Sequence, residues 1–129
     1  MIPIENIIEK SEYFYPPGYD LLIASMEYYV QKSQSFGSYS GDSVYLFGSS
    51  SYGNYGILIF GWGSCSGCDT LQACNNAKDV EELREKLNSE IKWFQDKEEM
   101  NKWIDSRIES NDWYTHEKEI AEFLVGLKT

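Results

Sequence analysis

The longest apolar stretch of the chain is about Gly56–Trp62, within the segment Tyr55–Trp62 that reads Tyr-Gly-Ile-Leu-Ile-Phe-Gly-Trp. Its apolar core is far shorter than the ~20 residues that a membrane-spanning helix needs. A short run of β-branched and aromatic residues is typical of a buried strand. The preceding segment Ser43–Phe47 alternates apolar and polar residues, which predicts a second strand. Because the connection Gly48–Asn54 is rich in serine and glycine, the two strands are predicted to form an antiparallel hairpin.

Apolar residues at helical spacing predict helices on either side of this hairpin. A short helix is predicted over Ile2–Lys10 and a longer one from about Tyr19 to Lys32. Two Asp-x-x-Glu capping patterns mark the starts of helices over Asp79–Asn88 and Asp96–Ile108, with each aspartate as the cap. The last helix is predicted from near Thr115 to Leu127.

A third strand is predicted over Glu90–Phe94, which is too short for a helix and alternates well. A chain of 129 residues fits one domain of ordinary size. The sequence therefore predicts a single α+β domain over residues 1–129. It has a small antiparallel sheet of about three strands packed with four to five helices, and a structural metal site at a strand-to-helix turn.

The charge balance restricts the classes of partner. The chain has 21 acidic and 11 basic side chains, a formal net charge of -10. Because a nucleic-acid binder needs cations to displace phosphate counterions, direct nucleic-acid binding is not expected. A basic partner fits better. The mixed charges of the later helices, Arg84 among them, are typical of a solvated face, and could alternatively dock on a groove built for nucleic acid.

Several tyrosines are candidates for exposed contact residues in such an interface. The alternative is that they belong to the core and the loops. The candidates are Tyr39, Tyr52, Tyr55 and Tyr114.

The N-terminal residues carry charges and lack the apolar stretch of a signal peptide. An odd number of cysteines, three, argues against a disulfide framework and favours reduced thiols or a metal. We therefore expect a protein of the cytoplasm, with no membrane segment.

The three cysteines fall within ten residues, directly after the Tyr55–Trp62 strand. Cys65 and Cys68 have the C-x-x-C spacing that lets two thiolates in a tight turn face one ion, and Gly67 suits such a turn. This spacing predicts a metal site. Two reduced cysteines in a tight turn are the alternative.

The remaining ligands are less constrained by spacing. Asp69 begins an Asp-x-x-Gln capping pattern, which predicts a short helix from Asp69 with Cys74 on its second turn. Cys74 is also compatible with a small buried apolar residue, and His116, the sole histidine, with an exposed residue at a helix start. Structural Zn²⁺ takes four ligands. The predicted set is Cys65, Cys68, Cys74 and His116, with Asp69 as the substitute ligand.

A small zinc- or thiol-dependent enzyme is the alternative function, with Asp69 or Glu117 as the general base. A catalytic zinc keeps one open position and a nearby base. The sequence contains no H-E-x-x-H pattern and no H-x-E with P-C-x-x-C. A metal-free acidic interaction domain is a further alternative. We therefore expect no catalytic residues.

The segment from Tyr55 to Asp69, which ends Gly-Trp-Gly-Ser-Cys-Ser-Gly-Cys-Asp, resembles a family of small acidic proteins encoded by phages and prophages. The resemblance extends over most of residues 36–125. Within that family the chain is similar to zinc-containing anti-CRISPR proteins directed at the type II effector Cas9. The resemblance implies a metal-stabilised inhibitor in the host cytoplasm that binds Cas9, or another basic nucleic-acid-binding protein, and blocks its use of target DNA by occupancy.

Overall fold

The structure, a computed structural model, describes residues 18–37, 41–63, 74, 76–110 and 117–128. This part of the chain is α+β, with four helices and four strands, one strand more than the sequence predicts. The elements in chain order are α1 (Gly18–Ala24), β1 (Val30–Gly37), β2 (Gly41–Phe47), β3 (Tyr55–Trp62), α2 (Ala77–Glu90), β4 (Lys92–Phe94), α3 (Lys97–Ser110) and α4 (Glu117–Leu127). The predicted helix Ile2–Lys10 lies outside the described residues.

The four strands form one antiparallel sheet in the order β1-β2-β3-β4. The predicted hairpin is confirmed: β2 and β3 pair along their whole length, from Gly41 opposite Trp62 to Phe47 opposite Gly56. The third predicted strand is also confirmed, because Lys92–Phe94 pairs with the start of β3.

The missed strand is β1. The predicted helix from Tyr19 to Lys32 is wrong beyond Ala24, where α1 ends. Glu27 then takes a positive φ of 64°, which redirects the chain. Of β1 only Phe36 is buried, so the strand carries no alternating apolar pattern. Its formation depends on pairing with β2, a tertiary contact that periodicity within the segment does not report.

The sheet is covered on both faces. Alternate residues of β2 and β3 point to opposite sides, so Tyr45 and Leu58 contact one set of helices while Val44 and Ile57 contact the other. The core of the α1–α2 face is Tyr19, Leu22, Ile23, Met26, Tyr45, Phe47, Leu58, Phe60, Cys74, Val80, Leu83, Leu87 and Ile91. The core of the α3–α4 face is Phe36, Val44, Leu46, Ile57, Phe94, Met100, Ile104, Ile120, Leu124 and Leu127.

The starts of α2 and α3 show how far capping patterns predict a helix. Asp96 caps α3 as expected, because its Oδ1 accepts the Glu99 N–H at 2.8 Å. For α2 the predicted cap is wrong: Asn76 is the cap, and its Oδ1 accepts the N–H of Asp79 at 2.9 Å. Asp79 stands instead in the first turn, where a carboxylate favours the helix dipole.

Among the described helices, none combines the length and the apolar character that a membrane crossing requires.

Candidate functional site

The predicted metal ligands fall mainly outside the described residues. Cys65, Cys68, Asp69 and His116 lie there, and Cys74 is the predicted ligand within the described part of the chain. Among the residues that the structure describes, no group of three or more histidine, cysteine, aspartate or glutamate side chains is arranged to hold a metal ion. The zinc site therefore stays a prediction from spacing.

Cys74 belongs to the core of the α1–α2 face and is 8% exposed. Its backbone is not helical, so the prediction that it lies on the second turn of a helix is wrong. Two residues further on, Asn76 is extended at φ -156° and ψ 175° and caps α2, which begins at Ala77. A buried thiol beside apolar side chains suits a small core residue. Sulfur is also a preferred donor for zinc.

Arg84 is a residue whose environment the sequence does not predict. It lies on α2 between the core residues Leu83 and Leu87 and is only 5% exposed, not solvated as expected. Its Nη1 donates to the Ser25 hydroxyl at 3.1 Å, and that hydroxyl donates to the Leu22 carbonyl at 2.5 Å. The spacing of Arg84 from Val80 and Leu87 places it on the buried stripe of the helix, which was the available signal.

A second polar link ties α1 to the sheet. The Tyr45 hydroxyl donates to Asp20 Oδ1 at 2.5 Å. Burial, then this hydrogen bond, then the negative charge of Asp20 raise the pKa of Tyr45 above its ordinary value of 10.0. Tyr45 is therefore protonated at neutral pH and acts as a structural donor.

One end of the α1–α2 face carries a surface cluster of rings, here called the aromatic end and defined as Tyr28, Phe47, Tyr52 and Trp93. Tyr52 is 58% exposed, and Tyr29, which follows Tyr28 in the chain, is 70% exposed. Phe47 is fully buried, so the cluster runs from the core to solvent. The exposure of Tyr52 agrees with its prediction as a contact residue. Tyr29 falls within the predicted helix from Tyr19 to Lys32 and was not among the predicted contact residues.

The rings of the aromatic end pack against one another. The ring centroid of Tyr28 lies 5.1 Å from that of Trp93 and 6.3 Å from that of Tyr52, both edge to face. The centroids of Tyr52 and Trp93 are 6.0 Å apart. The Tyr28 hydroxyl donates to Asn88 Oδ1 at 2.8 Å, which fixes the cluster to α2. Burial raises the pKa of Tyr28, Tyr52 raises it further, and the Asn88 bond opposes both effects.

Trp93 owes its position to a glycine on the neighbouring strand. Gly56 stands opposite Trp93 in the β3–β4 register. A Cβ at Gly56 would lie 2.7 Å from Cζ3 of the indole, closer than non-bonded carbon atoms approach. The ring therefore packs flat over the backbone where a larger residue would displace it.

An open polar cavity of about 290 Å³ adjoins the aromatic end. It lies between the β2–β3 turn and the start of α3, and Gln31, Asn54, Gln95 and Asp96 contribute to its lining. Its wall is joined by hydrogen bonds, because Asn54 Nδ2 donates to the Gln95 carbonyl at 2.6 Å. Gln95 Nε2 in turn donates to the carbonyl of Tyr52 at 3.3 Å.

The other three tyrosines that were predicted as contact residues do not belong to the aromatic end as described. Tyr55 is partly buried against the α3–α4 core. Tyr39 and Tyr114 lie outside the described residues. The aromatic end is thus the candidate contact surface that the structure itself describes.

In comparisons with known proteins, the chain matches no family model, no curated protein and no solved structure.

Proposed function

We propose that the protein acts by binding. Through its aromatic end it occupies a surface of a basic partner protein, without transforming that partner. The observation that carries the proposal is the exposure of Tyr52, 58%, on a cluster of packed rings, together with the 70% exposed Tyr29 that follows Tyr28 in the chain. Tyrosine is enriched among the residues that dominate binding energy at interfaces.

The bracing of Tyr52 supports a role in binding. Its ring packs against Tyr28 and Trp93, and its carbonyl accepts a hydrogen bond from Gln95. An ordered side chain loses less conformational entropy when a partner docks. An exposed ring whose orientation is fixed by its neighbours therefore contributes more to binding than an equally exposed mobile ring.

The charge of the surface supports a basic partner. Glu27, which is exposed, precedes Tyr28, and exposed Asp96 and Glu99 follow Gln95 on the other side of the aromatic end. With a net charge of -10, the whole chain attracts cationic surfaces over several ångströms. Binding should then weaken as salt rises, since the Debye length falls to about 8 Å at physiological ionic strength.

The resemblance to phage anti-CRISPR proteins selects Cas9 as the partner to test first. A groove that holds nucleic acid is basic by necessity, so an acidic surface with exposed tyrosines can compete for it. The inhibitor would act in the host cytoplasm and block the use of target DNA by occupancy.

Zn²⁺ is proposed as the structural cofactor, held by Cys65, Cys68, Cys74 and His116, with Asp69 as the substitute. The C-x-x-C spacing and the donor chemistry support it. The burial of Cys74 beside the α1–α2 core would connect such a site directly to the fold.

Binding is tested with Cas9 and guide RNA, by pull-down and by DNA cleavage. We expect a complex and reduced cleavage at micromolar protein. The double variant Tyr29→Ala/Tyr52→Ala should bind at least about 30-fold more weakly, the loss typical of hot-spot residues. Val125→Ala, at a 52% exposed position on α4, is the matched control. Undiminished cleavage and no complex would exclude Cas9, and a double variant that binds like the control would exclude the aromatic end.

The metal is tested by elemental analysis of protein purified without a metal-binding tag. We expect about one zinc per chain if the site is structural. Cys65→Ser should then lose zinc and unfold, because metal-binding energy contributes to folding. A zinc content near zero in folded protein would exclude the cofactor and leave the binding proposal intact.

A further inference from the structure

β1 lies at one edge of the sheet. β1 is the first strand of the sheet and pairs with β2 from Val30 to Gly37. Within the described residues no strand pairs with its other edge. Alternate residues of a strand direct their N–H and C=O groups to opposite edges, so about four of the eight residues present these groups outward.

β1 is largely exposed on both faces. All five residues from Gln31 to Ser35 are exposed, whereas six of the seven residues of β2 are buried. Among the described residues, the helix layers reach β1 at Phe36, which belongs to the α3–α4 core, and at Val30, which packs against the α1–α2 core. The exposed stretch Gln31–Ser35 between these two contacts has room for an added strand.

The edge carries few of the features that block strand addition. Proline is absent from β1, Lys32 is its one charged residue, and its irregularity lies at one end, between Val30 and Lys32. From Lys32 to Gly37 the register is regular. Native edges are usually blunted along their length by charges, bulges or proline.

The surroundings of the edge favour a basic strand. On one face Asp20 accepts the hydroxyl of Tyr45, whose cross-strand partner is Ser33. Asp42 stands opposite Phe36 at the far end of the strand. On the other face exposed Glu122 precedes Phe123, whose ring centroid lies 6.2 Å from that of Phe36.

We propose that the outer edge of β1 accepts an extended, basic segment of the partner as a fifth strand of the sheet. Main-chain hydrogen bonds hold the segment, and the flanking carboxylates select lysine and arginine on it. The added strand would lie next to the aromatic end, because Tyr29 directly precedes β1 and the Gln31 side chain packs beside Tyr29 over Gly48. The inference rests on the proposed function in one respect, the basic character of the partner.

The probe is a synthetic nine-residue peptide in which lysine alternates with valine and threonine. Two controls share its length: one carries glutamate for lysine, and the other keeps every lysine but has two internal prolines. Binding to the isotopically labelled protein is followed by amide chemical shifts and hydrogen exchange. We expect the basic peptide to shift and protect alternate β1 amides, and to bind at least tenfold more tightly than either control.

Substitutions at two adjacent positions distinguish the inner edge of β1, which bonds β2, from its outer edge. Because neighbouring N–H groups point in opposite directions, one of Ser33→Pro and Gln34→Pro removes a bond to β2 and the other removes an outward donor. The variant that melts closer to the wild type is the outward one, and it should bind the peptide at least tenfold more weakly. If both variants unfold, the inference is tested by whether the peptide protects alternate β1 amides from hydrogen exchange in the wild-type protein.

Three results would overturn the inference: shifts confined to α2 and α3, equal binding of the proline-containing control, or outward-facing β1 amides that are already protected in the free protein. In the last case sedimentation shows whether a second copy occupies the edge. If the peptide protects β1 but no Cas9 complex forms, strand addition at β1 is supported and only Cas9 is excluded as the partner. If a Cas9 complex forms and needs Tyr29 and Tyr52 but leaves the outward-facing β1 amides unprotected, only strand addition at β1 is excluded.

Discussion

The two faces of the sheet are stabilised differently. The α1–α2 face packs rings, with Phe60 in contact with both Tyr19 and Tyr45, and it buries polar side chains such as Arg84. The buried residues of the α3–α4 face are mainly aliphatic and methionine, with Phe36 and Phe94 as their rings. The buried polar side chains are thus concentrated on the face whose rings reach solvent at the aromatic end.

This difference separates two kinds of stability. Aliphatic packing is non-directional and depends on volume, so the α3–α4 face should be sensitive to cavities. Hydrogen bonds and ring contacts depend on direction, so the α1–α2 face should respond to the loss of single polar atoms. A rigid face of this second kind is suited to hold exposed rings in one place.

The largest expected effect is a cavity in the α3–α4 face. Leu124 is fully buried, and Leu124→Ala should lower the free energy of unfolding by about 2–5 kcal/mol. The neighbouring Val125 is 52% exposed, so Val125→Ala serves as the control and should change little. Chemical denaturation measures both. Equal effects would show that α4 does not pack as described.

On the α1–α2 face, Ser25→Ala should cost about 1–3 kcal/mol. The change deletes a buried hydroxyl, and Arg84 Nη1 loses that acceptor. Ser89→Ala is a matched control, because this serine also donates to a carbonyl three residues earlier but is exposed. Denaturation curves for the pair should differ by at least about 1 kcal/mol. No difference would argue against directional bonding on this face.

Tyr45→Phe should cost about 1 kcal/mol at neutral pH through loss of the bond to Asp20. The folded pKa of Tyr45 is raised above the unfolded value of 10.0. This contribution is therefore fully present below pH 10 and is lost as pH rises from there toward the folded pKa, since the unfolded tyrosine ionises first. Stability measured from pH 8 to 11 should fall less steeply in the variant. An identical slope would contradict the assignment.

The smallest effect on stability is expected at Tyr29, beside the aromatic end. Tyr29→Ala, at a residue 70% exposed, should change the free energy of unfolding by no more than about 0.5 kcal/mol. The same change should weaken partner binding. A large loss of stability, seen by thermal melting, would mean that Tyr29 serves the fold and not the interface.

Local pattern predicted much of the fold. The β2–β3 hairpin, β4 and the last two helices all carry their own periodicity or cap, and Asp96 caps α3 as its sequence indicates. At α2 the cap is Asn76, three residues before the Asp79 that the pattern indicates. The capping pattern thus located the helix but not its first residue.

The candidate site was less predictable. Tyr52 was expected to be exposed, but Tyr29 was assigned to a helix that ends at Ala24. Its exposure follows from the chain reversal near Glu27 and from the pairing of β1 with β2, which are decided by residues distant in sequence. The predicted metal ligands other than Cys74 lie outside the described residues and keep the status of a hypothesis.

The sequence by itself determined the α+β class, the hairpin and the acidic character, because each depends on residues close together in the chain or on composition. Only the tertiary structure decided which rings lie in the core and which face solvent, that Arg84 is buried, and that β1 is the edge strand of the described sheet. The physical reason is that burial and strand pairing are properties of contacts between distant segments. Local propensity limits these contacts but does not choose among them.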